Sequence, residues 1–166
     1  QFVSAGYTNL ATVFMEGMTP ETCQHADSVL GQAEQLLGAA ADTSCAEKEA
    51  GFIIRRRGRL AQICMLLPDF SGAAASLEKT FALLRRFPNS TSACAEASDI
   101  VDTYFELVDL LIAPARPLEF LTRPTEALIA LCEDVLPVNE PLFDKSRVWL
   151  RSLERRIAHL PGMSEF

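Results

Sequence analysis

The sequence predicts an all-α fold of about seven antiparallel helices, and three observations carry that prediction. Apolar residues recur at helical spacing through most of the chain. No period-2 run of β-branched residues is bounded by an Asn-Gly or Asp-Gly turn. Proline and glycine interrupt the helical spacing at intervals that suit helix lengths. At 166 residues, 49% hydrophobic and 22% charged, the chain is one domain's worth and can bury a core without disulfides or metals. It is expected to form a single domain over 1–166, with an internal corner at 113–121.

The first helix reads from Ser4 to Glu16 and stops at Gly17. Thr19-Pro20-Glu21 restarts the chain with a cap, a first-turn proline and an acid that suits the helix dipole. This second helix runs to about Ala40, with Ala26, Leu30, Ala33, Leu36 and Leu37 directed inward. Ser44-x-x-Glu47 has capping-box spacing and opens a third helix reaching about Leu67. Gly51 and Gly58 each weaken that helix by about 1 kcal/mol relative to Ala, unless close helix packing requires them.

Pro68-Asp69 breaks the chain, and a fourth helix spans Phe70 to Arg86, ahead of Pro88-Asn89. The fifth, about Ser92 to Ile112, has one broad apolar face of Ile100, Val101, Tyr104, Phe105, Val108, Leu111 and Ile112. Asp99, Asp102, Glu106 and Asp109 lie on the opposite face. Pro114-Ala115-Arg116-Pro117 can hold no regular helix, and Leu118–Leu121 makes at most one short turn. A sixth helix covers Thr122 to about Val135, and Asn139-Glu140-Pro141 starts a seventh that reaches about Leu160. Short connections turn each helix back alongside the one before it.

The segment Leu60-Ala61-x-x-Cys64 … Leu67-Pro68-Asp69-Phe70-x-x-Ala73-x-x-x-Leu77 resembles a tetratricopeptide repeat, as one partial repeat over about 57–88. Small side chains at Ala61 and Ala73 let two helices approach, while Leu60, Cys64, Phe70 and Leu77 fill the seam. Weaker echoes fall at Leu10-Ala11-x-x-Phe14 and over 126–134, around Glu126-Ala127-x-x-x-Leu131. Arg57 stands where the family usually has an aromatic residue, Cys64 replaces its usual Tyr, and Pro88 comes three residues late. Ala11 to Ala61 is 50 residues and Ala73 to Ala127 is 54, longer than the family's period of about 34. The resemblance therefore implies a tetratricopeptide-like α-solenoid fragment with lengthened hairpins; a closed helical bundle is the alternative.

The net charge of −7 argues against a general nucleic-acid-binding domain, which needs excess Lys and Arg to neutralise phosphates. The charges run in blocks, however. Residues 1–50 sum to −6, 51–90 to +5, 91–138 to −7 and 139–166 to +1. Neighbouring helices that pair their charges account for such blocks. The sharper expectation is a basic patch of Arg55, Arg56, Arg57, Arg59, Arg85 and Arg86 that receives an acidic or extended peptide through guanidinium forks.

If the resemblance holds, the third helix lines a concave surface, with Arg55, Gln62 and Met65 facing it. The partner-binding set is then Arg55, Arg56, Arg59, Gln62 and Met65. Family members that grip a C-terminal carboxylate use Lys and Asn at two positions that here are Gly58 and Gln62, so that mode of recognition is not implied. The acidic face of the fifth helix is an alternative docking surface.

Chemistry is sparse. Cys23, Cys45, Cys64, Cys94 and Cys132 form no Cys-x-x-Cys pair and read as free thiols of a reducing, intracellular compartment. With His25 and His159 far apart, no metal site and no cofactor are expected. Cys23 and His25 point roughly 200° apart on one helix, which disfavours a catalytic pair. No phosphate-cradling glycine loop occurs, and no apolar run is long enough for membrane insertion. Arg147, Arg151 and Arg155 form a polar stripe on the last helix, opposite Leu142, Trp149, Leu150, Leu153, Ile157 and Leu160, as in a solenoid cap.

The opening Gln1-Phe2-Val3-Ser4 lacks the basic start of a signal peptide, and the expectation is a domain excised from a longer protein. The functional expectation is a non-enzymatic scaffold or adaptor that binds another protein. The alternatives are a self-associating bundle, with homo-oligomers, and a small helical enzyme or ligand-binding bundle.

Overall fold

The computed structural model describes residues 3–39, 43–112, 118–135 and 140–157. These form α1 (Val3–Glu16), α2 (Pro20–Ala39), α3 (Thr43–Leu66), α4 (Phe70–Arg86), α5 (Thr91–Ile112), α6 (Thr122–Val135) and α7 (Glu140–Ile157), with a 3-10 turn at Leu118–Leu121 before α6. The fold is all-α, with no strand among the described residues. The corner at Pro114–Pro117 lies outside the described residues.

Local signals set the helix ends. Thr19 Oγ1 accepts from the Thr22 backbone N–H at 3.2 Å, and Thr22 Oγ1 accepts from the Thr19 N–H at 3.0 Å, a reciprocal cap for α2. Asp69 caps α4 by accepting from the Gly72 N–H at 2.9 Å. Ser90 caps α5 by accepting from the Ala93 N–H at 3.1 Å, and its hydroxyl donates to the Glu47 carbonyl at 2.8 Å. One serine thus ends a loop and ties it to the neighbouring helix.

Packing follows a hairpin pattern. α1 lies against α2, α3 against α4, and α6 against both α4 and α7. α3 also lies along α5, and their contacts keep one offset. Arg55 meets Glu96 and Gln62 meets Thr103, each pair 41 residues apart, so the two helices run parallel. α5 and α7 repeat the arrangement at an offset of 47, through Ser98–Lys145 and Asp109–Arg156. α4 and α6 are parallel too, joined by Glu78–Arg123 and Arg85–Asp134. Seven helices arranged this way are compatible with a helical-repeat fold.

The glycines of α3 now have a reason. A Cβ at Gly51 would overlap the Ser92 hydroxyl and lie 2.9 Å from the Ser92 carbonyl carbon, and one at Gly58 would overlap Ile100 Cδ1. Both residues face α5, where a side chain would hold the helices apart. Their helix-propensity cost is therefore the cost of close packing.

The core is one cluster with members from all seven helices. Leu60, Ala61, Cys64, Ala73 and Leu77 are all buried, and Phe70 packs half-buried against the core. The Tyr104 hydroxyl shares a 2.6 Å hydrogen bond with Thr125 Oγ1, linking α5 to α6 inside the core. Burial pushes the Tyr104 phenol up to about 12, outweighing that bond. Two apolar expectations need correction. Leu36 is 38% exposed and Ile112 39% exposed, each near an end of its helix where the described residues leave it uncovered. No helix among the described residues is long and apolar enough to cross a membrane.

Candidate functional site

Successive residues of α3 step around its axis by about 100°, and this scatters the arginine run. Arg57 points away from solvent and is fully buried. Its Nη1 donates to Asp27 Oδ1 at 2.7 Å and its Nε to Glu34, both on α2. Lys79 of α4 donates to the same Asp27 at 2.8 Å, and Ser76 donates to the Arg57 carbonyl at 2.9 Å. Burial pushes the Asp27 carboxyl up, but hydrogen bonds from Lys79 and Arg57 outweigh this and hold it below its ordinary 3.8. Where the repeat family places an aromatic residue, this chain has an ionic junction of three helices.

The expected six-arginine patch is therefore not one surface. Arg85 pairs with Asp134 on α6 at 2.6 Å, and Arg86 lies over the Phe87 ring at 5.2 Å. Arg56 is half-buried on another side of α3, and Met65 is half-buried against the core. Only Arg55, Arg59 and Gln62 of the expected binding set share a cavity.

That cavity is an open cleft of about 370 Å³ between α3 and α5. One wall carries Arg55, Arg59 and Gln62, the other Glu96, Asp99 and Thr103, and Gly58 and Ile100 help form the floor. Arg55, whose side chain is 59% exposed, bonds Glu96 at 2.6 Å, and that carboxylate raises the guanidinium pKa further. Gln62 Nε2 reaches Thr103 Oγ1 at 3.4 Å, and Arg59 reaches Gln62 Oε1 at 3.4 Å. Among the described residues neither Arg59 nor Asp99 makes an ion pair. The cleft is open and lined mostly by polar and charged side chains, with opposite charges on its two walls.

Glu96, Asp99 and Thr103 had no place in the expected site, although Asp99 was read as part of an acidic face. Their pairing with α3 depends on the parallel register, which no local pattern reveals. The available signal was Gly51 and Gly58, seven residues apart on one helix face, a track marking where another helix approaches.

The remaining candidates are placed as follows. Asp99, Asp102, Glu106 and Asp109 are all exposed, and Asp109 pairs with Arg156, whose guanidinium also covers the Phe105 ring at 4.4 Å. No cluster of potential metal ligands occurs among the described residues. His25 is exposed, with its ring 5.2 Å from that of Phe14, while Cys23 is buried on the opposite side of α2. Cys23 and Cys64 are both buried, and burial pushes the Cys64 thiol up to about 12. Arg147, Arg151 and Arg155 are exposed, whereas Trp149, Leu153 and Ile157 are buried. His159 and Leu160 lie outside the described residues.

The class defined by this geometry is an all-α, hairpin-packed protein with a polar interhelical cleft. Comparison with protein-family models, curated protein sequences and solved structures finds no match.

Proposed function

We propose that this chain is a non-enzymatic interaction scaffold of the tetratricopeptide-like, hairpin-stacked type, and that it holds a segment of another protein in the α3–α5 cleft. The observation carrying this reading is the division of labour on α3. Leu60, Ala61 and Cys64 are buried in the core, while Arg55, Arg59 and Gln62 remain along an open cleft beside the parallel α5. In a stack of helical hairpins, parallel front helices line the surface that receives partners. The buried thiols of Cys23, Cys64 and Cys132 fit an intracellular setting, where reducing conditions preserve such residues.

A photo-crosslinking residue placed at Gln62, with exposed Gln35 on α2 as the control position, tests the docking surface. The expected result is protein adducts formed through position 62 and few through position 35. Equal labelling from both positions would show that the cleft is not where partners dock.

A further inference from the structure

We infer that the segment held in the α3–α5 cleft is an extended one in which an acidic residue stands directly beside a basic residue. This rests on the docking reading above and specifies its partner. The two walls have opposite chemistry, since α3 contributes arginines and α5 contributes carboxylates. Arg55 and Glu96 satisfy each other across the cleft. Four residues further along α3 comes Arg59, and three further along α5 comes Asp99. Both are exposed, both line the cleft, and neither has an ion-pair partner among the described residues.

A purely acidic peptide would meet Arg59 favourably but would also be pressed against Asp99, with Asp102 and Glu106 continuing the same charge along α5. Like charges brought together in this way cost affinity and reject such a partner. A purely basic segment has the mirror-image problem at Arg55 and Arg59.

Extended chain resolves the conflict by its geometry. Successive side chains of a β-type segment point to opposite sides. A segment lying along the cleft therefore sends one side chain to the α3 wall and the next to the α5 wall. An acid followed by a base, or the reverse, complements Arg59 and Asp99 together. The lining from Arg55 to Gln62 covers about 10 Å of helix axis, which corresponds to about three residues of extended chain. The recognised unit is thus short. Gln62, half-buried and held to the buried Thr103 only by a long 3.4 Å contact, offers its side-chain amide to the backbone of such a segment.

The test uses the whole chain and four fluorescent octapeptides, read by anisotropy at low salt: alternating Glu-Lys, all Glu, all Lys, and alternating Ser-Gln. The alternating Glu-Lys peptide is expected to bind about tenfold more tightly than either homopolymer. R59E is expected to weaken it several-fold, and the paired reversal R59E/D99R to restore much of the loss. Circular dichroism of each variant excludes unfolding as the cause. If all-Glu binds as well as Glu-Lys, or if no peptide discriminates or binds, the mixed-charge inference is overturned. The docking reading is decided separately by crosslinking at position 62, so the two can fail independently.

Discussion

Arg55 and Arg57 stand two residues apart on α3 and meet opposite fates. Arg57 is sealed among α2, α3 and α4 with Asp27, Glu34 and Lys79, whereas Arg55, 59% exposed, pairs in the open cleft with a Glu96 side chain that is itself only 14% exposed. Their chemistry and helix are the same, and an azimuth of roughly 200° separates structure from surface. A buried guanidinium is costly to desolvate and very costly to orphan, so the junction demands all its members. The Arg55 guanidinium stays in contact with water, which screens its attraction to Glu96.

Removing charges from each region breaks the comparison most sharply. R57A leaves Asp27 and Glu34 without their shared guanidinium and opens a void, and is expected to cost about 3 kcal/mol. Urea unfolding would show this as a lower midpoint. R57M, which refills the space, should recover part of the loss; equal damage from both would mean that charge rather than volume dominates the junction.

The next effect concerns the two glycines beside the cleft. G51A forces a Cβ against the Ser92 hydroxyl and carbonyl carbon, and is expected to destabilise by about 2 kcal/mol. G58A meets only the far end of Ile100, which can rotate aside, and the propensity of alanine then offsets most of the strain. Thermal unfolding of the two variants should rank G51A well below G58A.

Acid produces the smallest and most selective difference. The folded Asp27 carboxyl titrates below its ordinary 3.8, so its contribution is complete above that pH and is lost as pH falls through the depressed value. D27N should flatten the acid limb of the stability profile. R55A should keep the acid limb of the wild type, because Asp27 loses none of its partners and Arg55 is the exposed half of its own pair. An R55A curve that departs from the wild type would mean that the cleft pair is structural after all.

Much of the fold was legible in the sequence because its signals are local. Phe70 to Arg86 and Thr122 to Val135 match the observed helices end to end, and α7 begins at Glu140 within the expected start. Asp69 before α4 and Thr19 before α2 cap as their side-chain chemistry suggests. The site was legible only by halves. Arg55, Arg59 and Gln62 could be chosen from one helix, but Glu96 and Thr103 face them across a 41-residue separation. Helical periodicity says which residues share a face of one helix and is silent on which face of another helix they meet.

By itself, then, the sequence determined the helices, the Thr19 cap and most of the apolar residues of the core, since these depend on contacts within about four residues. The Ser90 cap of α5 and the placement of Ser44 inside α3 were not read from it. Tertiary structure decided that Arg57 is interior, that Gly51 and Gly58 are contact points, and that a basic wall faces an acidic one. Those outcomes depend on the register between parallel helices, a quantity set by the summed packing of many side chains and written in no single stretch of chain.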